Sequence, residues 1–189
     1  KEKNDFEKYL ETINRQIKDI EKLVNEFSNF ARMPSPILKK IDIAKAVNKS
    51  LDLVKLSTKN SINLSIKTKN LLINGDEDQL NRVFINLIKN SEESLLEKNE
   101  KDPNFKGIIH IEISDNKDYI LLRLTDNGTG ITDARKAMTP YYTTKKKGTG
   151  LGLPIVTKII NEHSGTFSIN NKKTGTGILI KITFPKLNA

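Results

Sequence analysis

The most restrictive feature of this 189-residue chain is a heptad pattern at its amino-terminal end. Over residues 2–33, apolar side chains recur at alternating spacings of four and three, as in the helices of coiled coils and bundles. Leu23 and Phe30 widen the stripe, which favours a bundle of more than two helices. The alternative is an amphipathic helix that packs on its own domain, but Pro34 and Pro36 predict a linker directly after it. The stripe consists of Phe6, Leu10, Ile13, Ile17, Ile20, Val24, Phe27 and Ala31.

Beyond the linker, helical and strand patterns alternate. We predict helices at residues 42–57, 76–97 and about 150–163, and strands at 61–67, 107–114, 119–125, 166–170 and 177–184, with a loop-rich stretch at 126–148. This order predicts a two-layer α/β sandwich, in which helices cover one face of a mixed sheet. We therefore expect two parts: a helix with its linker at 1–36 and an α/β domain at 37–189.

The composition excludes several classes of protein. No apolar run is long enough to cross a bilayer, so we expect a cytoplasmic location, with a membrane anchor only in a part outside this chain. The sequence has no cysteine, which excludes disulfides and thiolate metal sites. The net charge is +9, but the basic residues are 27 Lys and only 5 Arg and are scattered along the chain, so we do not expect nucleic-acid binding.

A glycine-rich segment at residues 145–156 predicts an anion site. Gly148, Gly150 and Gly152 occupy every second position, follow three lysines and open directly into a helical pattern. The first amides of a helix have no partner within the helix, and the helix dipole favours negative charge there. A flexible turn is the alternative, because a glycine triplet alone is a weak signal.

Two asparagines on a predicted helix indicate a second part of the same site. Asn86 and Asn90 are four residues apart and therefore share a helix face, with Glu93 one turn further along. Amide oxygens are suitable ligands for Mg²⁺, which takes its other ligands from phosphate and water. The alternative is a pair of solvated asparagines.

A third segment, Asp126-Asn127-Gly128-Thr129-Gly130, follows a predicted strand. The Asp126 carboxylate can accept a hydrogen bond from an exocyclic amine, and glycines let a flat ring approach the backbone. The alternative is an ordinary turn. Taken with the asparagine helix and the glycine triplet, the segment predicts an adenine specificity site.

These motifs resemble those of the ATP-binding catalytic domain of bacterial sensor histidine kinases, a superfamily shared with type II topoisomerase, mismatch-repair and heat-shock chaperone ATPases. The resemblance covers residues 37–185 and implies a Bergerat-type ATP fold. Residues 21–36 resemble the NtrY type of nitrogen-regulation sensor kinase. The matching motifs are the asparagine box at 86–91, the glycine boxes at 126–130, 148–153 and 174–177, and an aromatic box at 140–145 with Tyr where Phe is commoner.

The resemblance implies roles for individual residues. Asn90 would be the chief Mg²⁺ ligand and Asn86 the second, Asp126 would bind the adenine amino group, and Thr176 would support Asp126 through a water. Lys145 to Lys147 would lie on a mobile lid near the γ-phosphate. The candidate catalytic residues are Asn86, Asn90, Lys89 and Lys147. The candidate ATP-binding residues are Asn86, Asn90, Asp126, Gly128, Gly130, Ile131, Tyr142, Thr143, Thr144, Lys145, Gly148, Thr149, Gly150, Leu151, Gly152, Leu153 and Thr176.

Two histidines are present, and neither is expected to accept a phosphoryl group. His110 alternates onto the polar face of a strand, and His163 lies at a helix end, where a cation would complement the dipole. The helix at 2–33 resembles the second helix of a dimerisation hairpin, so the acceptor His would belong to a first helix that is absent from this chain.

The sequence thus predicts the catalytic region of a sensor histidine kinase, with Mg-ATP as cofactor. Its expected partners are a response regulator receiver domain and a second copy of the chain, paired through the amino-terminal helix. Where related ATPases carry a Glu general base, this chain has Asn86, which cannot take up a proton at neutral pH and so favours a kinase over an ATPase. The alternatives are a non-kinase ATPase and a dimerising scaffold that ATP regulates.

Overall fold

The computed structural model of the protein describes residues 2–55, 58, 60–145 and 148–187. The first element is a 30-residue helix, α1, at Glu2–Ala31. It ends two residues before the predicted position 33, and Pro34, which lacks an N–H, follows it in the extended linker. The apolar stripe from Phe6 to Phe27 is solvent-exposed, with exposed fractions between 43% at Leu10 and 62% at Phe6. The alternative of a helix packed along its own domain is therefore wrong for most of its length.

The remaining elements follow the predicted order, with three additions. The helices are α2 (Ile43–Lys55), α3 (Glu77–Lys101), α4 (Ala134–Ala137) and α5 (Gly152–Glu162), and the strands are β1 (Lys39–Asp42), β2 (Ser61–Ile66), β3 (Leu72–Gly75), β4 (Ile108–Asp115), β5 (Tyr119–Asp126), β6 (Thr166–Asn171) and β7 (Ile178–Pro185). The sequence interpretation missed β1, β3 and α4, which have four residues each. Residues 56 and 57 of the predicted helix at 42–57 lie outside the described residues, and Asp42 belongs to β1 instead.

Five strands form a mixed sheet in the order β2-β4-β5-β7-β6. The β2–β4 pair is parallel, whereas β4–β5, β5–β7 and β6–β7 are antiparallel. The strands β1 and β3 pair antiparallel in a separate two-stranded sheet. None of the helices that the structure describes has the length and hydropathy needed to cross a membrane.

The core lies between the five-stranded sheet and the helices α2, α3 and α5. Alternate residues of β5 point into it, so Ile120, Leu122 and Leu124 are buried, and Asp126 continues the same series at the end of the strand. The helices thus cover one face of a mixed sheet, and the predicted two-layer α/β sandwich is confirmed.

The start of α3 is fixed by Asp76, whose side chain accepts hydrogen bonds from the Asp78 and Gln79 N–H groups at 3.1 Å each. Glu77 and Asp78 add negative charge in the first turn, which complements the helix dipole. Buried side chains then recur along one face of the helix. Since Asn86 and Asn90 adjoin this apolar face, they lie half-buried at its edge.

Candidate functional site

The helix that carries Asn86 and Asn90 (α3) lies against the second glycine segment, residues 148–153. A methyl group placed on Gly152, the first residue of α5, would lie 3.8 Å from Asn90 Nδ2 and 4.0 Å from Asn86 Oδ1. The structure therefore brings together two parts of the predicted site that are more than 60 positions apart in sequence. Lys89 lies on the same helix but is exposed, and its catalytic role stays a prediction.

The amino-terminal end of α5 has hydrogen-bond donors without a capping side chain. Leu151 occupies the N-cap position and makes no side-chain hydrogen bond to the helix. Its own side chain is fully buried, which anchors the turn, while Gly152 and Leu153 are half-buried. Pro154 lies in the first turn, where a proline is tolerated. The amides at this end are suited to bind an anion.

Asp126 is a buried carboxylate with one oxygen left over. Its side chain is 2% exposed, and Oδ1 accepts from the Gly128 N–H at 3.0 Å and from the Ile178 N–H at 3.3 Å. Among the described residues, none donates to Oδ2, although this atom is buried. A buried acceptor without a partner is costly, so the geometry fits a ligand that supplies a donor such as an exocyclic amine.

The backbone packs closely around Asp126. Gly177 has φ +99°, and a methyl group there would overlap the carbonyl oxygen of Asp126 and lie 2.8 Å from Oδ1. Thr176, the neighbouring candidate, donates from its hydroxyl to the Asn127 carbonyl at 3.3 Å. Thr176 therefore contacts Asn127, the residue that follows Asp126. Its support of Asp126 through a water stays a prediction.

Two lysines that the sequence interpretation did not select lie beside this carboxylate segment. Lys172 Nζ donates to the Asp126 carbonyl at 3.2 Å, and Lys98 Nζ donates to the Asn127 carbonyl at 2.8 Å and to the Thr176 hydroxyl. Both ammonium groups thus bind the backbone of the segment that carries the buried carboxylate. Lys172 lies in the connection between β6 and β7, and Lys98 lies in the last turn of α3. Because they are far apart in sequence, no short motif contains both lysines.

The first glycine loop is held by side chains of other elements. The Thr129 N–H donates to Ser94 Oγ at 3.0 Å, and a methyl group on Gly128 would overlap this same hydroxyl. Asn171 accepts from the Ile131 N–H and donates to the Ile131 carbonyl, both at 2.8 Å. Gly130 has φ +86°, which a side chain would strain. Ser94 and Asn171 are thus supporting residues that the sequence interpretation missed.

We define the predicted lid as residues 140–148, which contain the aromatic box and the three lysines, and its described residues contact α3 and the glycine triplet. The Tyr141 N–H donates to the Gly150 carbonyl at 3.1 Å, and a methyl group on Gly150 (φ +69°) would lie 2.5 Å from the Tyr141 backbone. Lys145 forms an ion pair with Glu93 on α3, one turn beyond Asn90. Lys146 and Lys147 lie outside the described residues, so the candidate role of Lys147 stays a prediction.

The other described residues of the lid contact one another. Thr143 accepts from the Lys145 N–H at 3.1 Å, and the Gly148 N–H donates to the Lys145 carbonyl at 3.2 Å. A methyl group on Gly148 would lie 2.5 Å from the Thr143 hydroxyl, so this part of the lid is closely folded on itself. Tyr142 is half-buried and Thr144 is exposed.

The last turns of α1 contact the lid and α5. Glu26 accepts a hydrogen bond from the Thr149 hydroxyl in the second glycine segment. The rings of Phe27 and Tyr141 lie 6.4 Å apart, and Lys158 Nζ lies 5.8 Å from the Phe30 ring centre. The amino-terminal helix therefore places a carboxylate next to the candidate phosphate site.

The two histidines differ in their surroundings. His110 is exposed on β4, as predicted. His163 is 3% exposed, with Nδ1 at 2.7 Å from the Ile159 carbonyl and Nε2 accepting from the Asp76 N–H at 2.9 Å. Because one ring nitrogen donates and the other accepts, the imidazole is neutral. The interpretation of His163 as a cation that complements the helix dipole is therefore wrong.

Comparisons with known proteins place the chain in a family. The sequence profile of the family described as "Histidine kinase-, DNA gyrase B-, and HSP90-like ATPase" matches residues 75–188. A putative NtrY-like sensor histidine kinase of Rickettsia bellii is 38% identical over 97% of this chain and 30% of its own length. Nitrogen regulation protein NtrY of Azorhizobium caulinodans is 32% identical over 94% of this chain and 23% of its own length.

A solved structure shares the fold. The histidine kinase ThkA, crystallised in complex with the response regulator TrrA, superposes with a TM-score of 0.73 at 20% identity, covering 95% of this chain and 51% of that one. The chain spans 23% to 30% of the length of the two NtrY-type relatives. Since the family match covers most of the α/β domain, including Asn86, Asp126 and Gly152, the chain belongs to the histidine kinase-, DNA gyrase B- and HSP90-like ATPase family, with NtrY-like sensor histidine kinases among its relatives.

Proposed function

We propose that this chain is the ATP-binding catalytic region of an NtrY-like sensor histidine kinase. It binds Mg-ATP between α3, the lid and the start of α5, and it delivers the γ-phosphoryl group to a histidine of the longer protein. The observation that carries this proposal is the buried Asp126 carboxylate, whose Oδ2 has no donor among the described residues. The family match supports ATP as the nucleotide.

The adenine end of the site depends on Asp126. Its Oδ2 accepts the exocyclic amine of adenine, while the bonds from Gly128 and Ile178 to Oδ1 hold the carboxylate in place. Guanine presents a carbonyl oxygen at the same ring position, and two acceptors would repel each other. We therefore expect a strong preference for ATP over GTP.

The phosphate end of the site depends on α5 and the asparagine pair. The first amides of α5 donate to phosphate oxygens, and Lys145 leaves Glu93 to meet the phosphates. Asn86 and Asn90 face Gly152 and would hold Mg²⁺ together with phosphate and water, because amide oxygens are suitable ligands for this ion. When bound, Mg²⁺ neutralises the charge of the phosphates.

Asn86 supports transfer rather than hydrolysis. Its amide faces the phosphate end of the site and cannot act as a general base, so water bound there is not activated. Catalysis in this proposal is mainly positioning and charge neutralisation, with the acceptor His attacking the γ-phosphate in line. A response regulator would receive the phosphoryl group, as the complex of ThkA with TrrA suggests by analogy.

The proposal is tested by calorimetric titration of the full chain with ATP, first with Mg²⁺ and then with a chelator. We expect Asp126→Asn to abolish detectable ATP binding, whereas Asp118→Asn, which alters an exposed turn carboxylate, binds like the wild type. Phosphotransfer is then assayed by adding an acceptor hairpin in trans. ATP binding without transfer would favour the ATP-regulated scaffold, and rapid hydrolysis would favour a non-kinase ATPase. A folded wild type that binds no ATP would contradict the proposal.

A further inference from the structure

We infer that His163 is a positioning residue of the nucleotide site. Its imidazole holds the end of α5 against the start of α3, and through Asp76 it also holds the linker that follows α1. The inference rests on the proposed function for its effect on ATP. Its effect on the linker can be measured without any nucleotide.

The imidazole bridges the ends of two elements. Nδ1 donates to the Ile159 carbonyl in the last turn of α5, and Nε2 accepts from the Asp76 N–H at the N-cap of α3. Close packing surrounds the ring, because a methyl group on Gly75 would lie 3.3 Å from His163 Cδ2. Because the imidazole itself is 3% exposed, losing one of its hydrogen-bond partners is costly.

Asp76 extends the bridge to the linker. Its Oδ1 caps α3, and its Oδ2 accepts from the Ile37 N–H at 2.9 Å. Gln79 in the first turn of α3 adds a bond from Nε2 to the Pro34 carbonyl at 3.0 Å. The linker is thus attached at the residue whose backbone N–H is bound by His163.

The two bridged helices form opposite sides of the phosphate end of the site. Asn86 and Asn90 lie on α3, and the facing Gly152 begins α5. α5 has 11 residues and is therefore about 16 Å long, so a shift at its His163 end tilts the Gly152 end. The bond between His163 and Asp76 fixes the spacing of the site from its far side.

Two amide substitutions separate this role from simple packing. Glutamine can place its amide oxygen near the position of Nε2 and accept from the Asp76 N–H. Asparagine can place its amide nitrogen near Nδ1 and donate to the Ile159 carbonyl, but it is too short to reach Asp76. Both variants lose the ring, so a packing role predicts similar losses in both.

The experiment compares His163→Gln and His163→Asn in the full chain. Loss of the hydrogen bond to the Asp76 N–H predicts an ATP dissociation constant about fivefold higher in His163→Asn, and within about twofold of the wild type in His163→Gln. Amide hydrogen exchange in the absence of nucleotide should show the Asp76 and Ile37 amides deprotected in His163→Asn and protected in His163→Gln. Melting temperatures of both variants provide the control for global stability.

Equal behaviour of the two variants, in exchange and in affinity, would overturn the inference. If His163→Asn does not fold, His163→Gln decides: an unprotected Asp76 amide, or a loss of ATP affinity despite a protected one, contradicts the role. A wild type that binds no ATP would sink the proposed function, whereas the exchange comparison would still test the bridge.

Discussion

At the scale of single residues, the site depends on backbone positions that only glycine can occupy. Gly177 and Gly175 form a matched pair, since both have positive φ but only Gly177 faces the Asp126 backbone, whereas a methyl group on Gly175 meets nothing within 4 Å. We expect Gly175→Ala to cost about 1 kcal/mol of unfolding free energy through its backbone conformation alone. We expect Gly177→Ala to cost more than about 2 kcal/mol and to abolish ATP binding. Urea denaturation measures both, and equal costs would contradict the close approach.

Lys172 gives a second prediction at this scale. Its ammonium group donates to the Asp126 carbonyl and so helps to hold the backbone that carries the buried carboxylate. We expect Lys172→Met to weaken ATP binding by about fivefold, as for the loss of one charge-assisted hydrogen bond, whereas Lys173→Met at the exposed neighbouring position leaves it unchanged. Calorimetry compares the two variants, and an equal effect of both would show that only overall charge matters.

The negative charge of Asp76, the N-cap residue of α3, gives a prediction about stability. Partial burial raises the pKa of Asp76, but the N–H donors of Ile37, Gln79 and Asp78 outweigh it and hold the pKa below its ordinary value. A lowered pKa in the folded state stabilises the protein above the ordinary pKa of about 3.9 and loses this effect as the pH falls through the folded value. We therefore expect the wild type to lose more unfolding free energy between about pH 5 and pH 3 than Asp76→Asn, which keeps a helix cap without the charge. Denaturation curves of both proteins at the two pH values measure this loss. Equal losses of unfolding free energy in the wild type and in Asp76→Asn would contradict the prediction.

At the scale of elements, the contact of α1 with the lid gives the next prediction. Glu26 accepts from Thr149 beside the phosphate end of the site, so its negative charge opposes phosphate binding. We expect Glu26→Gln to tighten ATP binding by several-fold, and the gain to shrink at high salt. Glu21→Gln, which changes an exposed carboxylate on the same helix, is the control. Calorimetry at two salt concentrations checks the result, and weaker binding in Glu26→Gln would contradict the prediction.

How far the elements could be predicted depended on their length. The 25-residue α3 and the eight-residue strands β4, β5 and β7 were found because their periodic patterns extend over several turns or alternations. The four-residue β1 and β3 carry too few alternations, and their pairing is a long-range contact that sequence patterns do not contain.

The candidate residues Asp126 and Gly152 could be selected from the sequence because glycines next to polar residues are visible locally, and their roles in binding stay predictions. Ser94, Lys98 and Asn171 were missed because they reach the glycine loops only through the fold. The charge state of His163 was also wrong at the sequence level, since its partner Asp76 lies 87 positions away.

At the scale of the whole molecule, the exposed stripe of α1 predicts self-association. Leu10, Ile17 and Val24 are 43%, 56% and 58% exposed, and such a stripe is stable when it is covered by another helix. We expect sedimentation to show concentration-dependent dimers or larger bundles. Changing these three residues to Gln should give a monomer with unaltered ATP affinity, because the core does not contain them. A wild type that stays monomeric at high concentration would contradict the prediction.

Because Glu26 lies near the linker end of α1, this helix can act as a lever whose two arms differ greatly in length: the distance from the linker to Glu26 is short, and the distance from the linker to Glu2 is long. With 30 residues, α1 is about 45 Å long. If it pivots at the anchored linker, Glu26 moves on an arm of about 8 Å, so the mechanical advantage is roughly six. A displacement of about 6 Å at the end of α1 near Glu2 moves Glu26 by about 1 Å, which is enough to break its hydrogen bond to Thr149. A weak lateral force on the far end would thus be multiplied at the entrance to the phosphate site.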